Sequence, residues 1–457
     1  MTDILTSAEN AVRLAMKKGF DEVEAFTTRN VRSEIIYGDK IESTKTNEGA
    51  GLSVRGVLNR RIGFFSVSSL DPKDIEYAID QSLKIARANS EDPNWRSLTR
   101  KFGKAQVEGV IDRKIEQLSP KNLVDEVQLV LNTVHEVDKS LEVTRGYISA
   151  GVLSNAIANS HGCRLERKET LAASWISVKA GSTLSEKEVS HEVSVSRQWK
   201  GLENETLAQK VSSRALKMLH AKQIPSGKVN TVWRNDAFGN IIDSMLTRTI
   251  TADAVQENRS PWTGKIGQPV ASEEVSIVDE GKMIGGIGTR PFDDDGVPQK
   301  RVPVIDKGIL QGFLYDCYTA NKENLQSSGN AHRDVGSFSS PLNYMKTPSP
   351  YPNNLVVKPQ KARSDEIIKE TRKGLYIVET IGEWLSDPIS GELSATVSSG
   401  FLIENGELGK AVKGVIVSAN FFDILKGKMD LRANDLENAG AVYAPTTQIL
   451  DMAVAGE

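Results

Sequence analysis

The chain has 457 residues, and Lys+Arg 57 set against Asp+Glu 60 leave a formal charge of −3. With 26% charged and 39% hydrophobic residues this is the composition of a globular protein, long enough for two or three domains with their own cores. The near-neutral balance gives no electrostatic reason to expect a nucleic-acid or anionic-membrane partner, and five histidines and two cysteines leave little for a metal centre.

In chain order, Ile4, Ala8, Ala11, Val12 and Ala15 recur at helical spacing over residues 3–18, closed by Lys17, Lys18 and Gly19. From Glu22 to Val67 the period drops to two, with Val23, Ala25 and Thr27, then Leu52 and Val54, then Ile62 and Phe64, which predicts several short strands. Asp71 caps a helix with Pro72 in its first turn and Ile75, Ala78, Ile79 and Leu83 as its stripe. After the polar stretch NSEDPNWRSLTRKFGK, Ser119 and Pro120 open a helix with Leu123, Val127, Val130, Leu131 and Val134 on one face. Strands return from Leu141 to Trp199, with a hairpin turn at Asn159–Gly162, and a helix over about 204–219 carries Leu207, Val211, Ala215 and Leu219.

Pro225, Ser226 and Gly227 mark the strongest boundary. VNTVW beyond it reads as a strand, and residues 235–250 as a helix capped by Asn235 that buries Phe238, Ile241, Ile242, Met245 and Leu246. From about Gln268 to Ala444 short strands alternate with Gly, Pro, Asn and Asp turns. The expected class is α+β: an N-terminal mixed helix/sheet region in two units, 1–110 and 111–222, forming one domain or two, then a β-rich C-terminal domain over 223–457 with a helix at its start.

Few motifs carry chemistry. No P-loop or GxSxG is present, and GKMIGGIG lacks the strand and helix of a dinucleotide fingerprint. Asp293, Asp294 and Asp295 before Gly296 offer hard oxygen ligands, but Asp-Gly is a turn dipeptide and the closing Glu of a calcium loop is missing; a structured acidic turn, with a structural or peptide-contact role, is expected there. His135-Glu136 and His191-Glu192 lack a second His one helical turn on, so neither forms a zinc helix. Cys163 and Cys317 are isolated, as in a reducing compartment. With Asp3 and Glu9 near the start and no apolar run of membrane-spanning length, a cytoplasmic protein is expected.

Two long segments, PFDDDGVPQKRVPVIDKGILQGFLYDCYTA (291–320) and DPISGELSATVSSGFLIENGELGKAVKGVIVSAN (387–420), resemble the TldD/PmbA family of metallopeptidases. So do DEVEAFTTRNVRSEIIYGDKIESTKTNEGAGLSVRGVLNRRIGF near the N-terminus and the NSHG turn at 159–162. The resemblance implies two kinds of subunit: TldD-type chains with HExxxH and a later cysteine as zinc ligands, and PmbA (TldE) chains that lack them and pair with a TldD partner. Here the matching stretch is DSMLTRTITADAV, in which Asp243 and Ser244 stand for the His-Glu pair and Arg248 for the second His, and no cysteine follows Cys317. Arginine offers no lone pair and opposes a divalent cation, and serine cannot activate a metal-bound water as glutamate would.

The resemblance therefore implies a PmbA/TldE-type subunit without catalytic residues, metal or cofactor of its own. Zinc is expected on a TldD-type partner in a heterodimer or higher assembly, self-association is a further possibility, and unfolded peptides or small proteins are the substrates. Asp243 and Arg248 are expected to pair with each other, with other charges or with a partner, or to form a plain polar face. The alternatives are an independently active hydrolase with an unrecognised site and a binding module without proteolysis.

Overall fold

The structure, a computed structural model, describes residues 3–181, 187–333 and 342–457. Helix α1 (Ile4–Lys17) begins where Asp3 accepts the Thr6 N–H, and it buries Ala8, Ala11, Val12 and Ala15. Strands β1 (Glu22–Tyr37), β2 (Ile41–Leu58) and β3 (Arg61–Val67) follow, then α2 (Pro72–Ala88). The expected short strands are replaced by two of 16 and 18 residues, β1 and β2. Asp71 does occupy the cap position of α2, but its carboxylate makes no capping bond. After the single turn α3 (Arg113–Glu116) come α4 (Pro120–Val137), β4 (Glu142–Asn159), β5 (Arg164–Ala180), β6 (Glu188–Ser196) and α5 (Asn204–Met218). Leu219, expected on the stripe of α5, caps its end and is half-buried.

The six strands form one sheet in the order β3-β2-β1-β4-β5-β6, because β1 pairs antiparallel with β4 from Glu24↔Asn159 to Tyr37↔Gly146. One sheet thus runs through both sequence units. Successive strand residues point to opposite faces, and the odd positions Val23, Ala25, Ile35 and Tyr37 of β1 all meet helices: the first two α1 and α2, the last two α4 and α5. The opposite face carries Glu24, Phe26, Asn30 and Arg32, and the C-terminal part of the chain covers one end of it.

At β3 the pattern read from sequence is on the wrong face. Ile62 packs beside Val57, Trp95 and Leu98, whereas Gly63 faces α2 and Phe65 and Val67 follow it on that face. A methyl group on Gly63 would lie 1.9 Å from the Ser82 carbonyl oxygen, so only glycine lets α2 approach. Gly63→Ala is expected to cost about 1–3 kcal/mol through forced displacement of α2, read as a lower midpoint in urea unfolding of the full chain.

The C-terminal region is β-rich with a helix at its start. Strand β7 (Gly227–Trp233) pairs with Lys373–Ile381 and with Thr447–Ala455. Lys373–Ile381 pairs with Glu392–Glu404, which pairs with Val415–Asn420, which returns to Thr447–Ala455. Each strand has two neighbours in this ring, so the five close into a small barrel. A second, six-stranded sheet is built around Ile277–Glu280, Arg301–Asp306 and Leu355–Val357.

Helix α6 (Asn235–Ile242) packs against this core and buries Phe238, Ile241, Ile242, Met245 and Leu246 as expected, the last two from a π-helical turn, Asp243–Thr247. The helix is shorter than 235–250, and Arg234 rather than Asn235 stands at its cap. No described helix is long and apolar enough to cross a membrane.

Candidate functional site

The π-turn places Asp243 and Ser244 half-buried and Arg248 exposed at its end. Burial raises the Asp243 carboxyl above its ordinary value, against the Thr247 and Tyr351 hydrogen bonds and the Arg248 charge. The Tyr351 hydroxyl donates to Asp243 Oδ1 at 3.3 Å. The direct pairing of Asp243 with Arg248 is not formed: among the described residues Arg248 takes part in no ion pair.

One carboxylate, one hydroxyl and one guanidinium do not make a zinc site. The carboxylate is taken up by a tyrosine, and the cation at 248 would repel the metal. Among the described residues no group of three or more His, Cys, Asp and Glu is arranged to hold a metal ion. Both cysteines are free thiols, Cys163 buried and Cys317 half-buried.

The acidic triplet is not at the surface. Asp293, Asp294, Asp295 and Gly296 are all buried, so no carboxylate of the triplet is exposed in this chain. Asp293 acts as the hub of its own turn, accepting the N–H groups of Asp295, Val297 and Ala331 at 2.9–3.0 Å, and Gly296 closes that turn at φ +87°. Its neighbours reach across to the N-terminal sheet. Asp294 takes Arg167 Nη2 of β5 at 2.5 Å, and Asp295 takes Arg55 Nη2 of β2 at 2.9 Å. Arg55 also holds Glu24 of β1 at 2.7 Å, and Glu24 binds Arg333 at 2.5 Å. Glu169 of β5 pairs with Arg197 at 2.8 Å and lies 3.6 Å from Arg290.

Charges this deep are tolerated only when paired, and their titration reflects it. Burial pushes Asp294 up, but Arg167 and Arg290 outweigh it and hold the carboxyl well below the usual range. Glu169 is likewise held low against burial by Arg197, Arg290 and Arg167. Asp316, beside Asp295, makes no ion pair among the described residues, and burial together with that carboxylate outweighs the Thr319 hydrogen bonds and the Arg55 charge and pushes it up to about 7. Burial and Arg290 push His332 down to about 3, so its ring is neutral.

Tyr351 and His332 join the two places that the sequence treats separately. Their rings stand edge to face at 6.0 Å, and His332 Nδ1 lies 3.5 Å from Arg290 Nη1, which lies 3.6 Å from Asp294. None of His332, Arg290, Arg333 or Tyr351 stands out in the sequence. Beyond this network the outer face of the sheet opens into a groove of about 390 Å³ lined also by Ile287, Asn438 and Gly440. Arg32, Tyr147, Ser149 and Leu171 line it, with Glu169 and Arg197 at its inner end. Tyr147 stacks on Trp175 at 6.2 Å, and Ile287 packs in one cluster with Tyr351, so groove and π-turn are near neighbours.

The same architecture occurs in known proteins. The PmbA/TldA metallopeptidase C-terminal domain matches residues 226–456, the central domain 68–219 and domain 1 33–86. The metalloprotease PmbA of Escherichia coli O157:H7 is 22% identical over 458 residues, covering 95% of this chain and 92% of that protein. A metalloprotease TldD homologue of Haemophilus influenzae is 27% identical over 219 residues, 48% of this chain and 44% of that one. The crystal structure of TldE from Thermococcus kodakarensis superposes with a TM-score of 0.89 at 23% identity, covering 98% of this chain and all of that one. With the C-terminal profile alone spanning half of the chain and the other two covering much of the remainder, the chain belongs to the PmbA/TldD metallopeptidase family, and PmbA- and TldE-type proteins are among its full-length relatives.

Proposed function

We propose that this chain is a non-catalytic, PmbA/TldE-type subunit of a zinc-dependent metallopeptidase whose HExxxH site lies on a TldD-type partner. The observation that carries this is the donor set at the π-turn: Asp243 bound by Tyr351, Ser244 where a base would stand, and exposed Arg248. The likeness to both TldD- and TldE-type proteins supports the pairing. The work left to this chain is to hold an extended peptide. Its groove suits that, with Tyr147, held by its stack on Trp175, for apolar side chains and Arg32 and Ser149 for main-chain groups. The assembly works in the cytoplasm in this proposal.

The test uses this chain, an HExxxH relative from the same genome, and their mixture, with zinc content and cleavage of an unfolded peptide as readouts. Cleavage is expected only where the HExxxH chain is present, fastest in the mixture and unchanged by Arg248→Ala. Trp175→Ala is expected to raise KM about tenfold in the mixture while bound zinc stays constant. Zinc-dependent cleavage by this chain alone would establish the independent hydrolase, and no cleavage in any combination would establish the non-proteolytic binding module.

A further inference from the structure

Arg432 ends the strand Met429–Arg432 and is 1% exposed. Among the described residues six other arginines are buried, and each is held by a carboxylate: Arg55 and Arg333 by Glu24, Arg167 and Arg290 by Asp294, Arg197 by Glu169 and Arg214 by Glu192. Arg432 makes no ion pair among the described residues and bonds main-chain carbonyls instead, from Nε to Lys358 at 3.3 Å, from Nη1 to Asp430 at 3.5 Å and from Nη2 to Glu274 at 2.7 Å. A guanidinium has five N–H donors, so one on each terminal nitrogen is left over, and the carbonyl dipoles do not neutralise its charge. Burial lowers its pKa, against the charges of Glu274 and Asp430 beyond contact, yet an arginine keeps its proton.

This side chain lines a cavity of about 670 Å³, a size that takes a small molecule. Being buried, Arg432 stands at the inner wall, whereas Lys307, Lys358, Glu273 and Glu274 on the same cavity are exposed. Pro269, Ile309 and Pro359 add apolar surface. The walls are tied to one another through the main chain. The Val270 N–H donates to the Gly308 carbonyl at 2.8 Å, the Gly308 N–H to Val275 at 2.8 Å and the Lys358 N–H to Ser276 at 3.0 Å. The Gln360 side chain accepts the main-chain N–H of Arg432 at 2.9 Å. The cavity shares no lining residue with the groove beside Tyr147.

We propose that this cavity binds a carboxylate carried on a small apolar group, as at the C-terminal end of a peptide or on a free apolar amino acid. A planar guanidinium with two N–H groups to spare matches the two oxygens of a carboxylate. The three cations outnumber the two glutamates by one, a surplus that a single carboxylate neutralises and a phosphate dianion exceeds. Pro269, Ile309 and Pro359 suit an apolar side chain, and the exposed glutamates meet an ammonium where the ligand has one. Each peptide bond that is hydrolysed releases one new carboxylate, so products of the proposed peptidase belong to this ligand class, but the binding itself does not rest on that function.

Saturation-transfer NMR on the full chain alone tests it, with N-acetyl-leucine as the probe and N-acetyl-leucinamide, which lacks the charge, as its control. N-acetyl-leucine is expected to bind with a Kd of about 1 mM, usual for a ligand of its size, and the amide at least about tenfold more weakly. Arg432→Gln is expected to abolish binding. That change also removes the bonds to three carbonyls, so a second variant leaves the core untouched: Lys307→Gln combined with Lys358→Gln is expected to weaken binding about fivefold with the far-UV circular dichroism unchanged. Tyr147→Ala, in the groove, is expected to leave the Kd as it is. Leucine binding more tightly than N-acetyl-leucine marks a free amino acid as the ligand and the reverse order a peptide end, and either supports the site. Four results overturn the proposal: no binding up to about 10 mM, equal binding of acid and amide, inorganic phosphate binding more tightly than the acid, or a Kd that responds to Tyr147→Ala and not to the lysine pair.

Discussion

Arg167→Ala is expected to lower the free energy of unfolding by about 3–5 kcal/mol, the cost of breaking a buried ion pair from one side. Arg167 and Asp294 are both fully buried and 2.5 Å apart. Without the guanidinium, Asp294 keeps the Arg333 N–H at 2.7 Å and a distant Arg290 at 3.6 Å, too little to stabilise a carboxylate that cannot reach water. The Phe292 carbonyl loses its donor at 2.8 Å, and the Phe292 ring loses the cation 5.2 Å above it. Urea unfolding followed by far-UV circular dichroism measures the loss. Adding Asp294→Asn to the variant is expected to recover part of it, because the uncompensated charge goes with it. Arg259→Ala, which removes a half-exposed pair with Glu257, is expected to change stability by less than about 1 kcal/mol. A loss at Arg167 no larger than the one at Arg259 would mean that water enters the network and the burial is not felt.

The helices were legible because their evidence is local. Stripes such as Leu123, Val127, Val130 and Val134 follow one another at about one turn each, and every residue of that stripe is buried. The buried network was illegible for the opposite reason: its pairs are far apart in sequence, Glu24 with Arg333, Arg55 with Asp295, Arg167 with Asp294. Strand β5 shows how the signal misleads. Arg167 and Glu169 alternate with other polar residues as on a solvated face, yet that face is where the C-terminal region docks, so the polar alternation marks an internal interface.

The candidate site was legible only in register. Aligning Asp253, Ala254 and Val255 with the family's stretch places Asp243, Ser244 and Arg248, but it says nothing of Tyr351, which lies more than a hundred residues on and takes the Asp243 carboxylate. The π-turn itself is also absent from the periodicity, since Met245 and Leu246 fall on the buried stripe under either helical geometry. At β3 the error has a single cause. Glycine carries no hydropathy, so Gly63 could not announce that its face is the one pressed against α2.

The chain is expected to be more stable at pH 5.5 than at pH 8, and Asp316→Asn is expected to remove much of the difference. Burial and Asp295 raise the Asp316 carboxyl from 3.8 to about 7. The folded chain therefore holds this proton more tightly than the unfolded chain, and stability falls as pH rises from about 4 to about 7, by a total on the order of 4 kcal/mol. Asp279 acts in the same sense: burial raises it to about 6, despite four hydrogen bonds from Asn330, Asn353 and Asn354. Glu169 and Asp294, held low, act oppositely, and the stability they contribute at neutral pH is lost as pH falls through their depressed values. The Thr319 N–H and hydroxyl donate to Asp316 at 2.7 and 2.6 Å, and the side-chain amide of the variant keeps an oxygen for both, so the cap of the helix Cys317–Lys322 survives. The variant is expected to match the parent near pH 4 and to exceed it increasingly as pH rises to 8, with urea midpoints at both values as the measurement. Parallel pH profiles for parent and variant would show that the charge at 316 is not where the folded chain stores this proton.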